Sequence, residues 1–236
     1  MKFSVIIPCF NEAQSIQKLV EMLVPLQIEY DLEYIFVENG SLDKSKEFFQ
    51  KNIEKKFKNL KVVYVKSNIG YGYGLQRGLE VASGDYVGWA HADSQVMIDD
   101  LRLFFAFILH KNNNREVLLK GKRNKRGLFD LFFTTGQGLF NTILFGKWLF
   151  DVGASPVLFS KNLIKNIDDM PNDFSIELYT YIEAIKKRLI IVRLNVDVSD
   201  RKIGASSWNN GIVSKLKQSK KIFYSSVKIR IGRKVL

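Results

Sequence analysis

An apolar run that ends in a polar cluster and passes into a helical or turn-rich stretch occurs four times in the first 95 residues. No other feature constrains the fold as strongly. "FSVIIPCF" precedes "NEAQSIQKLVEMLVPL", where Ile16, Leu19, Val20 and Leu23 share one helical face. "LEYIFVE" precedes "NGSLDKS" and a helix expected near residues 43–57. "LKVVYVK" precedes the glycine loop "SNIGYGYG" and a helix that stops near "ASGD". "YVGWA" then runs into "HADSQ". Strands joined by helices of this length pair in parallel, because a tight hairpin has no room for the crossover. The expected fold class is α/β, a single Rossmann-like domain whose mostly parallel central sheet is flanked by helices. In such sheets ligands bind beyond the carboxyl ends of the strands. Three polar clusters fall there: Asn11-Glu12, Glu38-Asn39-Gly40-Ser41, and His91 through Gln95.

The second half is less regular. Residues 99–110 read as an apolar helix, "EVLLKGKR" as a strand, residues 128–150 as helical, "FSIELYTYIEAIKKR" as a helix and "LIIVRLNVDVSD" as a strand. Hydrophobic residues make up 46% and charged residues 25%, which suits a globular chain and excludes disorder. Cys9 is the only cysteine, so neither a disulfide framework nor a cysteine zinc site can form. The apolar start has no cleavage pattern behind it, and no apolar run reaches the roughly 18 residues that a membrane span needs. A cytoplasmic setting is expected.

Charge is unevenly placed. Of the net +12, residues 201–236 carry ten Lys or Arg and no Asp or Glu. The chain is therefore divided, on expectation, into a domain at 1–211 and a basic amphipathic segment at 212–236. In that segment Ile212, Leu216, Phe223 and Val227 recur at near-helical spacing between lysines. Such a stripe either docks on an anionic membrane surface or packs against the domain.

In "GWAHADSQ" an extended backbone would aim His91, Asp93 and Gln95 to one side, where they could hold a divalent cation. The alternative is that His91 only packs or hydrogen-bonds nearby. Gly70, Gly72 and Gly74 follow the third strand rather than the first, which argues against a dinucleotide fingerprint. Their expected use is to let backbone approach a ligand at a helix start.

"SVIIPCFNE", "VENGSLDKS", "NIGYGYGLQRGLEVASGDYVGWAHADSQ" and "KGKR" resemble the successive motifs of family 2 glycosyltransferases with the GT-A fold. "DVGASPVLFSKNLI" and "FSIELYTYIEAIKKRLIIVRLNVDVSDRKIGASS" are similar to the second half of the polyprenol-phosphate sugar transferases, of which dolichol-phosphate mannose synthase is the best known. The resemblance runs in order from residue 3 to about 208. It implies that Pro8, Phe10, Glu12, Glu38, Asn39, Gly70 and Ala92 line a nucleotide pocket. It further implies that Asp93 and Gln95, with His91, hold Mn²⁺ or Mg²⁺, and that Arg123 contacts the diphosphate or the acceptor phosphate. Arg201, with Lys202 beside it, would meet an acceptor phosphate.

The chain departs from the pattern at four places. Glu38-Asn39 stands for a pair of aspartates, His91 for the first aspartate of the metal motif, Ser206-Ser207 for Ser-Lys, and the arginine usual just before residues 134–135 has no counterpart. Imidazole suits Mn²⁺ better than Mg²⁺.

The expected reaction is metal-assisted sugar transfer, with inversion, from a nucleotide sugar to a polyprenyl phosphate or to a saccharide or lipid-linked acceptor. The membrane partner would be an anionic surface, on its inner face. Asp93 and Arg123 would act on the leaving group. A sugar hydroxyl acceptor would need a base, with Asp173 nominated first and Glu177 second; a polyprenyl phosphate would need none. Two rival classes share parts of this pattern. A nucleotidyltransferase acting on sugar phosphates also needs nucleotide and metal at strand ends. A nucleic-acid-binding protein would use the basic charge, but the charge sits in the tail, and no nucleic-acid partner is expected.

Overall fold

β1 (Phe3–Cys9) is apolar on both faces, and its alternate side chains feed two separate cores. Val5 and Ile7 face one core and Ile6 the other, as the two-residue period of a strand requires. A strand covered on both faces must lie between two helical layers. The computed structural model, which describes residues 1–54, 56–57, 59–92, 98–111, 116–123, 128–196 and 212–232, has that arrangement.

In chain order β1 leads to α1 (Ile16–Leu23), the short α2 (Leu26–Glu29), β2 (Leu32–Glu38) and α3 (Ser45–Phe48), which runs on as a π-helical turn at Phe49–Ile53. β3 (Leu60–Tyr64), α4 (Tyr71–Val81), β4 (Tyr86–Trp89) and α5 (Ile98–His110) follow. The second half has β5 (Val117–Arg123), α6 (Leu128–Phe145), β6 (Val157–Ser160), α7 (Ile176–Lys186), β7 (Ile190–Val196) and α8 (Ile212–Arg230).

The seven described strands form one sheet in the order β3-β2-β1-β4-β6-β5-β7. β1 to β4 are parallel, and β5 is parallel to β7. β6 is antiparallel to both of its neighbours, β4 and β5. The sequence reading of a mostly parallel sheet holds, but it did not assign β6. That strand is four residues, "VLFS", with no room for a period to show.

α1 and α5 cover one face through Ile16, Leu19, Val20, Leu23, Phe104 and Phe105. α4 and α7 cover the other through Leu75, Leu79, Ile176 and Ile182, and Ile229 of α8 joins that core. Because β1 lies between β2 and β4, the direction of strand progression reverses there, and a crevice opens at the carboxyl ends.

α8 is fastened to the body. Phe223 packs edge-on against Phe140 of α6 at 4.7 Å, and the Arg230 guanidinium donates to the Leu144 carbonyl at 3.1 Å. Its inward face is Ile222, Ser225, Ser226 and Ile229, an i, i+3, i+4, i+7 set. The stripe expected from the sequence therefore divides. Phe223 turns toward α6 while Val227 is exposed, and the side chains of Ile212 and Leu216 lie outside the described residues.

Candidate functional site

The loops after β1 and β2 are laced together. Asn11 takes a positive φ of 57°, and its side-chain oxygen accepts from the amide of Leu42 at 2.8 Å. Asn11 N–H donates to Ser41 Oγ at 3.1 Å, and Glu12 N–H to Ser45 Oγ at 3.0 Å. Glu38 is buried at the tip of β2, and its carboxylate accepts from Ser41 N–H at 2.6 Å. Glu12 accepts from Ser15 Oγ at 2.7 Å. Cys9 lies below these two acids. Its thiol is pushed well above the usual range, by burial first and then by the charges of Glu12 and Glu38. Pro8 and Phe10 flank it, each half-buried. Asn39 is buried too; its amide donates to the Gly70 carbonyl at 3.1 Å, which ties the second strand end to the glycine loop.

That loop does something other than the sequence suggested. A Cβ on Gly70, at φ +154°, would lie 2.2 Å from the Asn172 carbonyl oxygen. One on Gly72 would lie 2.2 Å from the Pro171 carbonyl oxygen and 2.6 Å from that of Asp173. These glycines admit the protein's own chain, the segment before α7, rather than a ligand. Gln76 pins the same segment by donating to the carbonyls of Met170 and Pro171 and to the Asn172 side chain, all within 3.1 Å. Tyr73 N–H adds a bond to the Asn172 carbonyl at 3.0 Å.

β4 ends at Trp89, two residues before His91, so the alternation that aligned His91 with Asp93 and Gln95 does not extend that far. Asp93 and Gln95 lie outside the described residues. Ala92 is buried. His91 packs at a tilt of 32° against Tyr71, with ring centroids 5.6 Å apart, and Tyr71 stacks on Phe174 at 4.5 Å. Among the described residues no group of three or more His, Cys, Asp or Glu is arranged to hold a metal. A cation would depend on Asp93 and Gln95, with His91 at the adjoining strand end. A carboxylate, an amide oxygen and an imidazole are a donor set that Mn²⁺ accepts.

Beneath this stack is an ion pair that sequence reasoning did not anticipate. Lys120 Nζ of β5 lies 2.7 Å from Glu177 Oε2 of α7, with the two side chains 1% and 5% exposed. Glu177 Oε1 also accepts from the Trp89 indole N–H at 2.6 Å and from the Tyr71 hydroxyl at 3.4 Å. Burial lowers the Lys120 pKa, and the Glu177 charge and hydrogen bond oppose that shift. Glu177, the second candidate for a base, is thus an internal strut with both oxygens occupied. The signal that could have revealed it is Lys120, a lysine two residues after Leu118, and so on the same face, in a strand that begins with three apolar residues.

Asp173, the first candidate, is also held. Oδ1 accepts from the amide and hydroxyl of Ser175 at the start of α7. Oδ2 accepts from Ser225 Oγ of α8 at 3.3 Å and lies 3.6 Å from Lys221 Nζ. At the tip of β5, Arg123 donates to Asp151 Oδ1 at 2.6 Å, and its buried Nε has no hydrogen-bond partner among the described residues. Arg201 and Lys202 lie outside the described residues.

Acidic and polar groups at the ends of β1 and β2, an arginine at the end of β5 and a GT-A-like sheet fit one family. The family model "Glycosyl transferase family 2" matches residues 4–128. The chain belongs to this family. Dodecaprenyl-phosphate galacturonate synthase of Rhizobium johnstonii is 25% identical over 189 residues, 78% of this chain and 54% of that protein. Undecaprenyl-phosphate 4-deoxy-4-formamido-L-arabinose transferase of Photorhabdus laumondii is 22% identical over 215 residues, 88% of this chain and 63% of that protein. The family 2 chain thus spans about half to three fifths of the length of these two relatives. Glucosyl-3-phosphoglycerate synthase of Mycobacterium tuberculosis, solved with Mn²⁺, UDP-glucose and phosphoglyceric acid, superposes with a TM-score of 0.72 at 20% identity, covering 98% of this chain and 80% of that one. At that identity the likeness establishes the fold.

Proposed function

We propose that this chain transfers a sugar from a nucleotide sugar to an acceptor that arrives already ionised, a polyprenyl phosphate. The observation that carries this reading is the state of the two nominated bases. Asp173 is held by Ser175, Ser225 and Lys221, and Glu177 by Lys120, Trp89 and Tyr71. A sugar hydroxyl must lose a proton as it attacks, whereas a phosphate monoester attacks as an anion and needs no base. The named activities of the two curated relatives are of this kind.

The nucleotide would lie in the crevice at the ends of β1 and β2, with Glu12, Glu38 and Asn39 at its wall. Arg123, at the end of β5, would stabilise the negative charge that builds on the departing nucleoside diphosphate. A divalent cation held by Asp93, Gln95 and His91 would neutralise the same diphosphate. Attack from the face opposite the leaving group gives inversion at the sugar carbon.

The acceptor's lipid places the enzyme at a membrane surface. Among the described residues no helix is long and apolar enough to cross a bilayer. Leu139 and Ile143 on α6, Trp148 beyond it, Tyr224 and Val227 on α8, and Ile231 just after α8 are exposed apolar side chains, and no acidic residue occurs on α8. Lysines beside them suit an anionic leaflet, each contributing on the order of 1 kcal/mol near the surface. Docking of this kind is reversible.

The test is to incubate the protein with polyprenyl phosphate and a panel of UDP-, GDP- and dTDP-sugars in the presence of Mn²⁺. The expected result is release of nucleoside diphosphate that depends on the lipid phosphate. Release of pyrophosphate would favour a nucleotidyltransferase, and transfer to a free saccharide without lipid phosphate would overturn the acceptor assignment.

A further inference from the structure

α8 reaches the nucleotide crevice through a continuous set of contacts that the sequence motifs do not include. Lys221 and Ser225 hold Asp173 Oδ2 from α8. The chain just before that aspartate, Pro171 and Asn172, is the surface against which Gly70 and Gly72 press, closely enough that neither could carry a Cβ. Gln76 and Tyr73 fasten the same two residues to α4. From the glycine loop two contacts lead into the crevice. The Gly70 carbonyl takes the Asn39 amide, and Tyr71 packs against His91.

We propose that Lys221 and Ser225 are positioning residues: by fixing Asp173 they set the 170–173 segment, and through it the Gly70–Tyr71 wall of the donor pocket. The proposal rests on the donor-pocket reading above for what that wall encloses.

Three features favour positioning over mere attachment of a tail. The inward face of α8 carries Ser225 and Ser226, both fully buried, where leucines would have given more apolar burial. Ser226 spends its hydroxyl on the Ile222 carbonyl of its own helix, so Ser225 is the one aimed outward, at Asp173. Asp173 already satisfies Oδ1 with Ser175, so a cap for α7 did not require α8. The second oxygen is what connects the helix to the site. Packed contacts of this kind transmit a shift because each link has little free volume. The outward face of the same helix carries Tyr224 and Val227, with Ile231 just past its end, so whatever engages that face also loads the connection.

The experiment is hydrogen–deuterium exchange on the full chain without ligand, comparing wild type with the double variant Lys221→Met/Ser225→Ala. Losing one charged hydrogen bond and one exposed ion pair should raise exchange about tenfold in segments 170–176 and 70–76. Exchange in β2, residues 32–38, should not change. Lys221→Arg alone should exchange like wild type at both segments, which a role limited to bulk packing does not predict.

An increase confined to α8 and 170–176 would overturn the proposal, because the glycine loop would then be independent of the helix. A uniform increase across the sheet would also overturn it, marking α8 as a general requirement of the fold. If the double variant does not fold, Lys221→Met alone supplies the same comparison, since that side chain is half-exposed. Binding of UDP with Mn²⁺ to the wild type is measured separately by calorimetry. Its failure would count against the donor-pocket reading and leave the exchange result to decide the coupling.

Discussion

Replacing Glu177 by Ala isolates the Lys120 ammonium in the core, and the cost can be bounded from the structure. The removed carboxylate is 2.7 Å from Lys120 Nζ and 2.6 Å from the Trp89 indole nitrogen. Breaking a buried pair on one side costs about 3–5 kcal/mol. An upper limit comes from chemistry, because the isolated lysine can shed its proton instead. Taking a group of pKa 10.5 to its neutral form at pH 7 costs about 5 kcal/mol, at roughly 1.4 kcal/mol for each pH unit. The expected loss at pH 7 is therefore about 4 kcal/mol, or roughly 8–16 °C in Tm for a chain of this size.

The same reasoning fixes a pH dependence. Without Glu177 the folded-state pKa of Lys120 lies below its unfolded value, so the unfolded chain binds more protons and stability rises with pH. The deficit should shrink by more than 1 kcal/mol between pH 7 and 9. Urea unfolding followed by tryptophan fluorescence at those two values measures it. The apolar double variant Lys120→Met/Glu177→Leu should recover most of the loss. A deficit below about 1 kcal/mol, or one that does not change with pH, would refute the view of Glu177 as the partner of a buried cation.

Four further outcomes follow from the geometry. Glu33, at the opposite end of the sheet, has a pKa of about 2; burial opposes the shift, but Lys61 and the hydroxyls and amide of Ser4 and Ser83 outweigh it. Its stabilisation is complete above the unfolded carboxylate range and is lost as pH falls toward 2, so Glu33→Gln should cost about 2 kcal/mol at pH 7, allowing for solvent around Lys61, and far less in acid unfolding near pH 2. Gly72→Ala places a Cβ 2.2 Å from a backbone oxygen, and should cost about 2–3 kcal/mol by thermal unfolding and weaken nucleotide binding. Arg123→Ala should lower kcat about a hundredfold with a smaller change in KM, and Arg123→Lys should not restore it, because a single ammonium cannot reach both Asp151 and a diphosphate. Asp93→Ala should abolish Mn²⁺-dependent binding of nucleoside diphosphate in calorimetry; unchanged affinity would remove Asp93 from the metal site.

The sequence by itself determined the layers and the end of the sheet at which the polar clusters gather. Near-continuous apolar runs in "FSVIIPCF" and "LEYIFVE", separated by a helix with one apolar face, permit little besides a covered parallel sheet. The polar clusters at the strand ends then mark the crevice. Local pattern carries that information because strand and helix periods are properties of adjacent residues.

The tertiary structure decided what single residues do. Nothing near Glu177 in the chain indicates that its partners are Lys120, Trp89 and Tyr71, which come from three other elements. The glycines expected to let backbone approach a ligand make room for Asn172 and Pro171, a hundred residues away in sequence. The inward face of α8 was hidden because two of its four residues are serines, and a hydrophobicity pattern has no way to register a hydroxyl that is buried to hold a distant aspartate. Long-range pairing of polar groups depends on which elements meet, and a one-dimensional pattern does not contain that.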